Sequence, residues 1–159
     1  MPVITLHTRI KASPETCFNL SRSVNLHLLS TQKTNERVVQ GRKTGLLKLG
    51  ENITWRARHL GFTQDLTSRI TEFDFPNSFV SEMQKGAFKK LHHQHIFRKE
   101  MDHTILTDIF DFEAPFGLIG KLVCRLLLTS YMKGFLEERN RVICRIAESD
   151  SCNEFLLQQ

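Results

Sequence analysis

FGLIGKLVCRLLLTSYMKGFLEERNRVICRIA, residues 116–147, decides the fold. Taken from Leu118, the apolar residues Leu118, Leu122, Leu126, Met132, Leu136 and Ile143 recur at three- and four-residue steps or their multiples, the period of a helix with one buried face. A second row, Ile119, Val123, Leu127, Tyr131 and Phe135, widens the stripe over the first half, so this half needs a broad, concave cover. A sheet curled around the helix supplies one. Lys121, Arg125, Lys133, Glu137, Glu138, Arg141 and Arg145 form a charged back, with Glu137 four residues before Arg141 in the favourable order. Gly134 in mid-helix marks a bend or a close approach by another backbone. Pro115 and Gly117 end whatever strand comes before.

Working outward, the 159 residues make one domain of ordinary size, expected over 1–148, with a tail over 149–159 that docks through Phe155, Leu156 and Leu157 or frays. The net charge of +5 comes from basic residues scattered along the chain, so they are read as solvated surface and no nucleic-acid partner is expected. No apolar run approaches the ~18 residues of a membrane span. Cys17, Cys124, Cys144 and Cys152 lie far apart with no metal-ligand spacing, and Cys17 and Cys124 fall in apolar helical patterns; reduced, mostly buried thiols fit. The N-terminus opens on strand-like alternation with neither a basic n-region nor an apolar h-region. A cytoplasmic location is therefore expected.

In chain order, residues 3–10 read as a strand. Ser13-Pro14-Glu15 combines an N-cap serine, a proline at the first helical position and a first-turn acid. Two short helices follow, over 14–21 and about 24–31, burying Cys17, Phe18, Leu20, Leu26 and Leu29. A short strand covers 36–40. From Ile53, alternation sets Ile53, Trp55, Ala57 and His59 inward, opposite Thr54, Arg56 and Arg58. A turn centred on Gly61-Phe62 would pair Trp55 with Ser68, Ala57 with Leu66, and Ile53 with Ile70. The next strand spans 79–84, after the turn signal Pro76-Asn77.

The most informative hairpin runs over 88–112. Leu91, His93, His95 and Phe97 share one face of its first strand, and Leu106, Asp108, Phe110 and Phe112 share one face of the second. With Met101-Asp102 at the turn, Phe97 lies opposite Leu106, His95 opposite Asp108 and His93 opposite Phe110. Two imidazoles and a carboxylate then sit on an inward, largely aromatic face, an unusual place for them. His92 points the other way, toward solvent.

The order strand, two small helices, antiparallel strands, long terminal helix resembles the START-like or SRPBCC superfamily, over roughly residues 3–148. The resemblance is carried by Thr54-Trp55-Arg56-Ala57-Arg58-His59-Leu60-Gly61, Arg69-Ile70-Thr71-Glu72-Phe73-Asp74, Glu82-Met83-Gln84-Lys85-Gly86-Ala87-Phe88, His93-Gln94-His95-Ile96-Phe97, and the run from Thr107-Asp108 through Pro115-Phe116-Gly117 to Arg139. It implies an α+β helix-grip fold enclosing a ligand cavity, close to the ligand-binding SRPBCC or polyketide cyclase/dehydrase-like branch. That branch carries a larger aromatic where this chain has Leu91, so the cavity is expected to be roomier there. The architecture hosts lipid carriers, hormone receptors, cyclases and dehydrases, so it implies no one activity.

His93 and His95 with Asp108 fit three roles: a general acid-base pair, a metal site, or a buried polar cluster that orients a ligand. Ligand anchoring ranks ahead of catalysis, and metal behind both for want of an evident third ligand. Trp55, Ser68, Leu91, His93, His95, Phe97, Asp108, Phe110, Leu122 and Leu126 are the expected ligand-binding set; Tyr131 and Thr129 fit either the cavity mouth or helix core. GxSxG, HExxH, a Gly-rich phosphate loop and a catalytic-cysteine context are all missing, so no cofactor is expected. The leading expectation is a protein that binds a small hydrophobic molecule, such as a lipid or polyketide. The alternative is a cyclase- or dehydrase-type enzyme using His95 and Asp108. A third, resting on the resemblance, is an interaction module like the toxin-antitoxin or quinone-chaperone relatives. The oligomeric state is not encoded in any pattern here.

Overall fold

The structure, a computed structural model, describes residues 3–114 and 121–157; the side chains of 121–125 are not among those described. The chain runs β1 (Val3–Ile10), α1 (Pro14–Ser21), α2 (Val24–Ser30), a 3-10 turn (Gln32–Thr34), β2 (Arg37–Gln40), β3 (Asn52–His59), β4 (Phe62–Asp74), β5 (Ser78–Lys85), β6 (Lys90–Glu100), β7 (His103–Glu113), α3 (Lys121–Ala147) and α4 (Cys152–Leu156). All seven strands form one antiparallel sheet in the order β1-β7-β6-β5-β4-β3-β2. Irregularities at Val38/Gln40, Thr67/Ser68 and Ile70/Glu72 interrupt the ladders, and such bulges increase local twist and bend the strand. The curved sheet wraps around α3, giving the α+β helix-grip architecture.

Local signals explain the element starts. Ser13 Oγ accepts the Thr16 amide at 3.2 Å ahead of Pro14, and Ser23 Oγ accepts the Leu26 amide at 3.2 Å. These caps satisfy amides that the first helical turn leaves unpaired. The β3–β4 hairpin differs from the expected register. Its turn residues are Leu60 and Gly61, with φ of 50° and 86°, so Trp55 pairs with Leu66, Ile53 with Ser68 and Ala57 with Gln64. A two-residue type I′ turn requires positive φ at both central positions, which Gly61 meets at the second and Phe62 would meet poorly. The two-residue shift keeps every side chain on its expected face.

Two apolar clusters fill the concave side. The larger surrounds Phe18, which meets Phe73, Phe75 and Phe79 edge to face at centroid distances of 5.0, 5.1 and 5.1 Å; it includes Ile10, Leu106 and Ile143. Phe155 and Leu156 of α4 pack against it, whereas Leu157 is exposed. The smaller contains Ile4, Leu91, Phe110, Phe112, Met132 and Leu136. The backbone of α3 comes near β1, α1 and α2.

The expected helix start at Phe116, with Leu118 and Ile119, falls outside the described residues, as do the side chains of Leu122 and Val123. Leu126 and Leu127 are corrections: they are 66% and 67% exposed. At about 100° per residue, the six-residue step from Leu126 to Met132 turns Leu126 some 120° away from the buried face. Gly134 is exposed, and among the described residues a Cβ there would meet nothing within 4 Å, so no close approach by them requires it. Gly134→Ala is therefore expected to stabilise the protein by about 0.5–1 kcal/mol, read as a higher urea midpoint with an unchanged m-value.

Candidate functional site

Between the two apolar clusters runs a thin polar layer. Along β6 the order inward is Leu91, His93, His95, Phe97; along β7 it is Leu106, Asp108, Phe110; along α3 it is Leu136, Arg139, Asn140, Ile143. The β6–β7 pairing sets His95 opposite Asp108, His93 opposite Phe110 and Phe97 opposite Leu106, as the hairpin reading expected. Asp108 is completely buried.

Its carboxylate is the hub. Oδ1 accepts His93 Nε2–H at 2.8 Å and lies 3.6 Å from the Arg139 guanidinium; Oδ2 accepts the Asn140 amide at 2.6 Å. His95 Nδ1 is also 2.8 Å from Oδ1, but off the line a hydrogen bond needs, which leaves it without a bonded partner. Arg139 donates to Ser21 O at 2.9 Å and to Asn140 Oδ1 at 3.2 Å. Asn140 also donates to Thr8 Oγ1 at 3.0 Å. The layer thus ties β1, β6, β7 and the end of α1 to α3.

Burial, followed by the neighbouring His93, pushes the His95 imidazole down from its ordinary value near 6.5 to about 3. Burial also lowers His93, against the pull of its bond to Asp108. For Asp108 burial acts upward, but the hydrogen bond from His93 and the close approach of His95 outweigh it and hold the carboxyl well below its usual range. Both imidazoles are therefore neutral N–H donors near neutral pH, and the charge opposite the carboxylate is Arg139. The donor atoms of His93, His95 and Asp108 lie within 4.8 Å of one another. These are the three residues the sequence reading grouped, and Arg139 beside Asp108 offsets the charge that would attract a cation.

A cavity of about 420 Å³ opens between the sheet and α3. Of the expected residues, Trp55, Ser68, Leu91, His93, His95 and Phe110 line it. Phe97 lies instead in the Phe18 cluster, and Asp108 sits behind the histidines. Leu126 is corrected, being largely exposed and not part of the wall; the Leu122 side chain is outside the described residues. Tyr131 lines the cavity, its hydroxyl 2.8 Å from His59 Nδ1. Thr129 is half-buried and off the wall. Leu60 and Phe62, 62% and 71% exposed, border the cavity at the β3–β4 turn.

Sequence reasoning missed Arg139, Asn140, Glu36 and His27. Arg139 lies three residues after Leu136 and four before Ile143, so its spacing put it on the buried stripe all along. Glu36 has no comparable signal. Its side chain, 6% exposed, lines the cavity, with Oε1 3.2 Å from His27 Nε2, at a geometry that forms no hydrogen bond. The His27 ring lies over Trp55 at 4.2 Å. Burial acts upward on the Glu36 carboxyl, yet His27 and its other neighbours leave it lowered.

Neither a scan of protein-family models nor a search of curated proteins finds a match to the chain. Solved structures match along nearly its whole length. A protein from Thermus thermophilus superposes with a TM-score of 0.72 at 17% identity, covering 93% of this chain and 100% of its own. Ginseng major latex-like protein 151 from Panax ginseng gives 0.67 at 17% identity, covering 93% and 98%. A START superfamily protein from Mycobacterium smegmatis gives 0.63 at 13% identity, covering 88% and 96%. The chain has the START-like, or SRPBCC, helix-grip fold.

Removing Asp108 strands a buried guanidinium. Asp108→Ala is expected to cost about 3–5 kcal/mol, and Asp108→Leu with Arg139→Met to recover most of the loss. A double-mutant cycle in urea measures the coupling. Because the folded imidazoles refuse protons that the unfolded chain accepts, stability is full above pH 6.5 and falls as pH drops toward 3. Denaturant titrations across that range should show a shallower decline for His95→Phe.

Proposed function

We propose that this is a cytoplasmic protein that binds a small hydrophobic molecule, such as a lipid or polyketide, in the cavity between sheet and α3. One observation carries the reading: a cavity of about 420 Å³ whose wall is mostly apolar, with Trp55, Leu91, Phe110, Met132 and Leu136, and in which a buried histidine pair forms one polar end. Small-molecule sites have this character, typically roughly 300–1,000 Å³ with a few placed polar groups. Apolar contact supplies the affinity, and the polar end sets the orientation.

The histidine–aspartate pair suits orientation better than proton transfer. A base with a pKa of about 3 holds almost no proton near neutrality, and general catalysis works best with a pKa near the working pH. Asp108 is already engaged by His93, Asn140 and Arg139. Among the described residues no helix is long and apolar enough to cross a membrane. Cys17, Cys144 and Cys152 are unbonded, which supports a reducing compartment.

Trp55, the only tryptophan, lies in the cavity wall and reports on occupancy. Native mass spectrometry of protein purified without organic solvent should show a co-purifying apolar molecule. Its extraction and re-addition should shift Trp55 emission. Ala57→Phe fills the cavity and should weaken binding by roughly tenfold or more, at least about 1.4 kcal/mol, while the protein stays folded. Unchanged Trp55 emission across a panel of apolar compounds would count against the proposal.

A further inference from the structure

The hydrogen-bond logic of the polar layer determines what the cavity presents to its ligand. Asp108 is an ionised carboxylate, which only accepts. A ring nitrogen turned to it must therefore carry the hydrogen, and a neutral imidazole has one hydrogen to give. His93 donates Nε2–H to Asp108 Oδ1 at 2.8 Å, and His95 Nδ1 lies 2.8 Å from the same oxygen off the line of a hydrogen bond, where a bare nitrogen would set its lone pair against the carboxylate. His93 Nδ1 and His95 Nε2 are then bare acceptors on the ring edges away from Asp108. Both rings line the cavity, and their centroids lie 3.9 Å apart.

The remaining groups on the wall deepen the asymmetry. Arg139 is committed to Ser21 O, Asn140 and Asp108. Arg22 is held by Asn19 Oδ1 and Leu47 O. Asp65 is paired with Arg56, and the Tyr131 hydroxyl is engaged with His59. Glu36 brings a second carboxylate, with Oε2 unbonded. The two imidazole acceptors therefore face the ligand beside the neutral side chains of Gln64, Ser68 and Ser81, while the arginines are already occupied.

We propose, resting on the cavity-binding reading above, that the ligand is an uncharged apolar molecule that donates hydrogen bonds through hydroxyl groups, an alcohol or phenol, and that carboxylates such as fatty acids are rejected. A hydroxyl hydrogen on His93 Nδ1 completes a hydrogen-bonded chain that ends on Asp108, and His95 Nε2 offers a second acceptor beside it. A ligand carboxylate would set lone pairs against lone pairs, near Glu36.

The test is a matched set on one skeleton: naphthalene, naphthol and naphthoate, each measured by equilibrium dialysis against the wild-type protein at neutral pH. Naphthol should bind on the order of tenfold more tightly than naphthalene, the worth of one buried hydrogen bond, and naphthoate no more tightly than naphthalene. The double variant His93→Phe/His95→Phe should erase the naphthol preference, so that its affinities for naphthol and naphthalene converge. Equal affinity for naphthalene and naphthol, or naphthoate as the tightest of the three, overturns the proposal while leaving a binding cavity intact. Binding of none of the three overturns the cavity reading itself and the proposal with it. The wild-type series decides the matter even where a histidine variant fails to fold.

Discussion

A single buried negative charge constrains this molecule more than any other feature. Taking a carboxylate out of water costs several kcal/mol unless its lone pairs are met and its charge is balanced. Asp108 meets that requirement with groups from two other elements: an imidazole N–H from β6, and from α3 an amide and a guanidinium. The α3 partners are in turn fixed by further bonds, Asn140 to β1 through Thr8 and Arg139 to the end of α1 through the Ser21 carbonyl. The helix therefore cannot slide or rotate against the sheet without stranding a charge. Apolar contacts alone tolerate such movement far better.

The same layer explains how a hollow persists in a small domain. Apolar side chains close on one another wherever the backbone allows, and the Phe18 cluster does so at one end of the sheet. Beyond the polar layer the sheet and α3 are held apart. The histidines turn one nitrogen each to Asp108, and the stack of Phe79, His95 and His93 at 4.3 and 3.9 Å keeps their rings in place. The residues that stabilise the interior are thus the ones that give the cavity its polar end, so orientation of a guest and integrity of the fold share the same atoms.

Much of this is legible in the chain, and the parts that are not have physical reasons. Period-two alternation and the Met101-Asp102 turn locate His95 opposite Asp108. The Ser13-Pro14 cap locates α1 to the residue. The β3–β4 pairing differs by two because Gly61 is the second turn residue and not the first. Leu126 fits the apolar stripe locally, although the step to Met132 breaks the helical phase. Arg139 escapes notice because arginine reads as surface; only knowing that an acid waits across the interior makes its burial reasonable. Glu36 follows a short 3-10 turn, where no periodicity gives direction, and its place in the wall depends on tertiary packing alone.

The polar layer joins Thr8 to Asn140, positions 132 residues apart. A nascent chain emerging from its ribosome exposes β1 long before α3 exists to meet it. Until α3 arrives, the charge on Asp108 stays hydrated and the sheet has no lid. Such distant pairings are slow to form because chain closure precedes any reward. Arrival of α3, and not the translation of any earlier segment, is thus the event that allows this interior to dry out.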